Sequence, residues 1–407
     1  MSEPLLFGSD CLEVLPMLDA DSIDSVVTDP PYGLKFMGKD WDHGVPGKHF
    51  WKEILRVAKP GAFLLAFGGT RTFHRLACAI EDAGWEVRDC IMWVYGSGFP
   101  KSMNVQQAIN KAARGDDEGE WQGWGTALKP AWEPIIVARK PLIGTVVDNV
   151  LRYSTGAINI DASRIPANGD KLGGGAEKKT TPDQKGNWGW KRPWMDDKKM
   201  QEAHAARVRV NVVKGEKIGR FPANIIHDGS EEAVAPFPKN NPGCKTPSSA
   251  KCTSKYRPDQ GEYQGQGPIY PDNGSAARFF YCAKATKHDR DEGMDAVEAR
   301  PFGYSNQALA EMKRGTTERP ATSDTNTVKL RKNNHPTVKP TNLMRYLCRL
   351  VTPPSGTILD PFMGSGSTGK AAMLEGFEFI GIDNDDEAFE VATVRVEHAA
   401  YLHVEGE

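Results

Sequence analysis

The run Ile23-Asp24-Ser25-Val26-Val27 feeds directly into Thr28-Asp29-Pro30-Pro31-Tyr32. The first five residues are mostly β-branched and apolar and read as a buried strand. Two consecutive prolines cannot continue it, because each fixes φ and lacks an N–H. The backbone must therefore leave the sheet just after Asp29, in a stiff direction. That puts Asp29 at the carboxyl end of a strand, where open α/β sheets hold their ligands. The prolines donate nothing, so the Asp29 and Pro30 carbonyls are free to accept from another group. A carboxylate, a carbonyl and the Tyr32 ring together suit a flat group bearing an NH2. The two oxygens accept its hydrogens and the ring covers its face. A plain loop start satisfies the same five residues, and the motif alone does not separate the two readings.

The surrounding pattern alternates strands and helices. A strand over 5–7 leads to Asp10 at a strand-to-helix junction, a position where Asp is a preferred helix cap. Residues 36–47 are polar, Gly-containing and irregular, as a loop that closes over a substrate would be. Helical spacing covers 50–58 and should stop at Lys59-Pro60-Gly61. Strands follow over 62–67, 85–95 and 132–138, with a helix over 70–83. Continuous apolar strands alternating with helices predict an α/β fold whose mostly parallel sheet is covered on both faces.

Near the other end lies Gly356-Thr357-Ile358-Leu359-Asp360-Pro361-Phe362-Met363-Gly364-Ser365-Gly366-Ser367-Thr368-Gly369. This is strand, glycine turn, helix. Gly364 and Gly366 allow the backbone to approach a ligand closely, and the helix N-terminus offers free N–H groups. Asp383 ends a second strand, 17 residues after Gly366, close to the spacing at which an acidic side chain meets ribose hydroxyls. The turn also fits a dinucleotide pattern, which leaves no use for residues 29–32. It begins a phosphate-loop pattern as well, but Ala371 stands where a magnesium-binding Ser or Thr is required. A helix over 343–351 precedes the turn, and a tail helix over 387–399 closes the chain.

Between the halves the composition changes. Residues 167–199 and 238–274 are rich in Gly, Pro, Lys, Asn and Ser, with Trp188, Trp190 and Trp194 among them. They read as long loops, with strands over 220–226 and 278–282. Residues 151–330 hold 29 Lys and Arg against 22 Asp and Glu, a net of +7, while the rest of the chain carries −9. A basic middle in an acidic protein suits phosphate contacts, and it equally suits a solvated insert. The seven cysteines form no Cys-x-x-Cys pair. Cys244 and Cys252 with His227 have the wrong spacing for zinc, so no metal site is expected. Free thiols suit a reducing cytoplasm. No apolar run approaches a membrane span, and Met1-Ser2-Glu3-Pro4 is not a signal peptide.

Asp29 to Tyr32 match, without a gap, the Asp/Asn/Ser-Pro-Pro-aromatic motif of the DNA amino-methyltransferases, which act on adenine N6 or cytosine N4. Asp360 to Thr368 resemble the Asp-Pro-Phe-x-Gly-x-Gly-x-Thr signature of the same family. The order, catalytic motif first and cofactor motif last, resembles its β group, a circularly permuted layout of the Rossmann-like methyltransferase fold. The resemblance implies a catalytic half over 1–145, a target-recognition insert over 146–330 and a cofactor half over 331–407. It implies S-adenosyl-L-methionine as methyl donor and double-stranded DNA as substrate, with the base flipped out. The catalytic residues would be Asp29, Pro30, Pro31 and Tyr32. The cofactor would meet Asp10, Lys339, Asp360, Phe362, Gly364, Gly366, Thr368 and Asp383. Within that set Asp10 would contact the adenine ring, Asp383 the ribose and Lys339 the carboxylate, unless Lys339 is a surface lysine. The leading Asp favours adenine N6 over cytosine N4, and a DNA-binding regulator without turnover is the reading from another class. A cognate restriction nuclease, and a monomer or a homodimer, are both compatible with the sequence.

Overall fold

The computed structural model describes residues 3–34, 44–98, 100, 102–115, 118–168, 217–241, 272–273, 275–283, 288–294, 297–301, 330–333, 335 and 337–406, with single positions between 199 and 210. By packing, the chain forms two compact units. The first comprises Met1–Ser163, Asn224–Ala233 and Cys282–Glu407, and the second Arg164–Ala223 and Val234–Tyr281.

The first unit is built on a sheet. Its strands are β1 (Leu5–Phe7), β2 (Ile23–Thr28), β3 (Ala58–Phe67), β4 (Glu86–Val94), β5 (Trp132–Arg139), β6 (Ile225–His227), β7 (Tyr281–Cys282, where the chain re-enters the unit), β8 (Thr357–Asp360) and β9 (Glu378–Ile382). Among the described residues their order is β1-β9-β8-β2-β3-β5-β4-β6-β7. The pairings from β1 across to β3 are all parallel. Strand β5 runs antiparallel to both β3 and β4, and β4 pairs with β6 in parallel. This is the mostly parallel α/β sheet that the alternation predicts, with β5 reversed between β3 and β4.

β2 sits in the middle and is buried at all six positions. Its polar residues are satisfied, as burial requires. Asp24 accepts from Lys59 Nζ at 2.6 Å and from the Thr357 N–H at 2.9 Å. Ser25 and Thr352 share a hydrogen bond of 2.8 Å.

The helices described in the first unit include α1 (Cys11–Val14), α2 (Lys48–Val57), α3 (Phe73–Asp82), α4 (Val105–Ala113), α5 (Val146–Tyr153), α6 (Thr341–Val351), α7 (Ser367–Leu374) and α8 (Asp386–Gly406). α2 buries Trp51, Ile54 and Val57, one stripe at helical spacing. α7 is different: every residue from Ser367 to Met373 is buried. It is a core helix, packed against α6 and α8. No described helix is long and apolar enough to cross a membrane.

Several local expectations are corrected. The helix does stop before Lys59-Pro60-Gly61, at Val57, but the strand expected from 62 already begins at Ala58, so these three residues lie inside β3, opposite an irregularity in the pairing with β2. Gly61 takes φ +81°, and the Pro60 carbonyl accepts from Asn149 and Thr155 side chains at 2.8 and 2.5 Å. Tertiary hydrogen bonds override the local breaker. The helix expected over 70–83 is shorter, because residues 69–72 form a turn first. The strand expected over 220–226 reduces to β6, with Arg220 making an isolated antiparallel bridge to Ile165 in the second unit. The strand expected over 278–282 begins instead as a 3-10 turn, Ala276–Phe279, capped by Ser275. The tail helix runs on to 406. α4 and α5 add helices at 105–113 and 146–153 that the alternation of strands and helices does not mark. Thr145 and Asp148 form a capping box that starts α5. Within the second unit, Arg220 and Arg278 stack on Phe279 at 4.7 and 4.5 Å. Residues 36–43 of the expected closing loop, Trp188, Trp190 and Trp194, and Cys244 and Cys252 lie outside the described residues.

Asn149 holds α5 to β3 from a fully buried position. Its Nδ2 donates to the Pro60 and Thr155 carbonyls, and its Oδ1 accepts the Ile143 N–H at 3.1 Å. Asn149→Ala leaves buried groups without partners and should cost about 2–4 kcal/mol. The check is the urea midpoint; an unchanged midpoint would show that the anchor is dispensable.

Candidate active site

β2 and β8 pair in parallel, so their carboxyl ends lie side by side. Thr28 Oγ1 donates to Asp360 Oδ1 at 2.6 Å, joining residues 332 apart in sequence. Beyond this junction the Asp-Pro-Pro-Tyr turn and the glycine turn open onto one cavity of about 980 Å3, counting the space at its mouth. Asp29, Pro30, Pro31, Tyr32, Lys339, Asp360, Phe362, Gly364, Thr368 and Asp383 all line it.

Two expected residues lie elsewhere. Asp10 is not among the lining residues; its Oδ1 accepts the Leu12 N–H at 2.8 Å and caps α1. Gly366 is also absent from the lining. It takes φ +74°, and a Cβ there would come within 2.9 Å of Ala392 Cα. The close approach of α8 requires glycine at this position. Gly364, at φ +53°, does face the cavity, and its N–H donates to Asp383 Oδ2 at 2.7 Å.

Asp383 also accepts the Asp385 N–H, at 2.9 Å. Burial pushes its carboxyl up to about 6, against the pull of those two N–H groups. Asp360 is more enclosed. Burial pushes it up to about 7, while hydrogen bonds from Thr28, Thr368 and the Phe362 N–H act the other way. Phe362 leans on α2, with ring centroids 5.9 Å from Phe50 and 6.1 Å from Trp51.

The glycine turn is held from behind. Arg395 in α8 is fully buried; its Nη1 donates to the Ser365 carbonyl and its Nη2 to the Asp289 carbonyl at 2.8 Å. Burial lowers its pKa to about 10, so it stays charged at neutral pH. The next residues of that segment grip the stretch before α6. Asp289 Oδ1 accepts the Thr341 N–H at 3.0 Å, and Arg290 Nη1 donates to the His335 carbonyl at 2.7 Å. One clasp therefore fixes both the glycine turn and the segment that carries Lys339.

Lys339 is not a surface lysine: it is 5% exposed. Its Nζ lies 2.6 Å from Asp29 Oδ2, 3.2 Å from Tyr32 Oη and 3.4 Å from Glu133 Oε2. Tyr32 Oη donates to Asp29 Oδ1 at 2.8 Å and lies 3.1 Å from Glu133 Oε2. Burial alone would lower the Lys339 pKa, but the carboxylates of Asp29 and Glu133 outweigh it and hold the ammonium above its ordinary value. Burial and the same two carboxylates push the Tyr32 hydroxyl well above the usual phenol range. The Tyr32 carbonyl accepts from Thr72 Oγ1 at 2.7 Å, which sets the exit of the turn.

Sequence reasoning missed two residues here. Glu133 sits in β5, and its one local signal is an acidic group at the head of the apolar run Pro134-Ile135-Ile136-Val137-Ala138. His335 lines the cavity beside Gly364, and burial lowers its pKa to about 4, which keeps the imidazole neutral at neutral pH. Among the described residues no group of three His, Cys, Asp or Glu could hold a metal ion.

The N6_N4_Mtase family model, described as a DNA methylase, matches residues 23–394. The chain belongs to this DNA methylase family. It is similar to the type II methyltransferase M.HindIII of Haemophilus influenzae, at 25% identity over 203 residues, which cover 38% of this chain and 64% of that protein. A second relative, the type II methyltransferase M2.LlaDCHI of Lactococcus lactis subsp. cremoris, is 41% identical over 66 residues, 16% of this chain and 24% of that one. The chain thus spans less than two thirds of the length of either relative. Among solved structures, the cytosine-N4-specific PvuII DNA methyltransferase aligns over 100% of this chain and 95% of its own, with 13% identity and a TM-score of 0.42.

Asp360 titrates higher folded than unfolded. Its contribution to stability is therefore full below its ordinary value of 3.8 and is lost as pH rises towards about 7. Asp360→Asn keeps an acceptor for Thr28 and removes the buried charge. The variant should gain stability relative to the parent between pH 5 and pH 8, read as the difference in urea midpoints. A difference independent of pH would contradict the assignment.

Proposed function

We propose that the protein methylates an exocyclic amino group of a DNA base, with adenine N6 the favoured target and S-adenosyl-L-methionine the methyl donor. The observation that carries this is the shared cavity: the Asp29 turn and the glycine turn, far apart in sequence, face the same space.

The lining fits the donor. Asp29, Asp383 and Asp385 line the cavity together with one ammonium, Lys339, so it favours a cation. Phe362, Met363, Met344 and Ala388 give it an apolar side. Phe362 would pack against the cofactor, the Gly364 backbone would line its methionine moiety, and Thr368 would sit at the α7 N-terminus. Asp383 keeps lone pairs for ribose hydroxyls beyond the two N–H groups it already accepts. When bound, S-adenosyl-L-methionine supplies an electrophilic methyl group.

The remaining work falls to this chain. Asp29 and the Pro30 carbonyl accept the hydrogens of the target amino group and raise its electron density as the bond forms. They also aim its lone pair, which must lie in line with the bond that breaks. The target nitrogen is out of reach inside a duplex, so the base is extruded and Tyr32 stacks on it. Pro30 and Pro31 keep the turn stiff. Lys339, 2.6 Å from Asp29, orients that carboxylate. Residues 146–330 supply the target-recognition region, and their net charge of +7 over 151–330 supports phosphate contacts. The type II designation of both relatives supports a place in restriction–modification.

The test is incubation with DNA and methyl-labelled cofactor, followed by hydrolysis to nucleosides. Labelled N6-methyladenine is expected; labelled N4-methylcytosine would move the target, and no label would contradict the reading. Asp29→Ala should reduce transfer by about a hundredfold or more, with the cofactor Kd, measured by calorimetry, nearly unchanged. Retained turnover would remove Asp29 from its role.

A further inference from the structure

Both oxygens of Asp29 are already engaged, one by the Lys339 ammonium and one by the Tyr32 hydroxyl. An ammonium 2.6 Å from the group that must receive the target amine is unfavourable for the chemistry. During transfer the amino nitrogen's lone pair forms the N–C bond, the electron pair of the breaking C–S bond stays on sulfur, and positive charge arrives on nitrogen. That charge remains until a proton leaves to solvent. A neighbouring cation opposes its arrival and draws density out of Asp29.

Glu133 answers this. Its Oε2 lies 3.4 Å from Lys339 Nζ and 3.1 Å from Tyr32 Oη, so it touches both groups that hold Asp29. It is not among the residues lining the cavity. Its backbone is fixed in β5, opposite Trp93 of β4, and it also accepts from Tyr95, whose ring packs 5.0 Å from that of Trp93. With Glu133 ionised, the cluster of Asp29, Glu133 and Lys339 carries a net charge of −1; without it the net is zero. We propose that Glu133 is a positioning residue for methyl transfer: it shares the Lys339 ammonium and the Tyr32 hydroxyl with Asp29, so that the remaining lone pairs of Asp29 stay basic enough to accept the amine, and it keeps the cluster anionic as positive charge develops. This rests on the methyltransferase reading above, and it adds a residue outside the two sequence motifs.

The role predicts a dependence on Lys339 that a merely structural residue would not show. In single-turnover assays on DNA, Glu133→Gln should slow transfer about 30-fold, with cofactor and DNA Kd values nearly unchanged. Glu133→Asp, which keeps the charge, should recover much of the rate. In a Lys339→Met background there is no ammonium to share, and adding E133Q should change the rate less than about threefold. That pair also serves if E133Q alone does not fold, because the double variant removes both charges together. An E133Q rate equal to the parent's, or the same 30-fold loss with and without Lys339, would overturn the role. An inactive parent enzyme would sink the methyltransferase reading and this inference with it. An active parent with an indifferent Glu133 would sink this inference alone.

Discussion

Thr28 and Asp360 hold together a site whose parts come from opposite ends of the chain. Their hydrogen bond, 2.6 Å long and fully buried, sits at the carboxyl ends of two adjacent parallel strands. Parallel pairing is what makes the arrangement work, because both strands deliver the next residues to the same edge of the sheet. The Asp29 turn and the glycine turn then need no further device to meet. The chain re-enters this unit at β6 and again at β7, the two strands at the far edge of the sheet.

The electrostatics of the site follow from burial. Asp360 and Asp383 are both pushed upward by loss of water, yet each is caught by backbone or hydroxyl donors. Lys339 is as deeply buried and stays charged because two carboxylates flank it. Arg395 and the segment over 288–291 brace the glycine turn and the Lys339 strand of chain from outside the cavity. A pocket of this kind is preorganised: its charges are fixed by partners that do not depend on a ligand.

Much of this was legible in the sequence because it rests on local rules. A β-branched run halted by two prolines, and a strand broken by glycines before a helix, each fix a strand end. What the sequence did not show depends on register and tertiary contact. Glu133 gains its meaning from the pairing that brings β5 beside β3, near the Tyr32 turn, and no local pattern announces that. At Gly366 the need for glycine comes from a tertiary contact no local pattern shows: a Cβ there would meet Ala392 of α8. Pro60-Gly61 follows the end of a helix, as its breakers predict, but it does not delay the strand, because Asn149 and Thr155 supply the hydrogen bonds that carry β3 through it. The short apolar run at 278–282 has the composition of a strand, but Ser275 caps a 3-10 turn at its start.

The central claim is that one cavity between the ends of β2 and β8 holds the cofactor against the Asp29 turn. A crystal structure with S-adenosylhomocysteine tests it most directly. The account places the ligand against Gly364 and Asp383, with its sulfur facing the Asp29–Tyr32 turn. Density for the ligand at any other place on the protein, or bound at the glycine turn with its sulfur aimed away from Asp29, would contradict it.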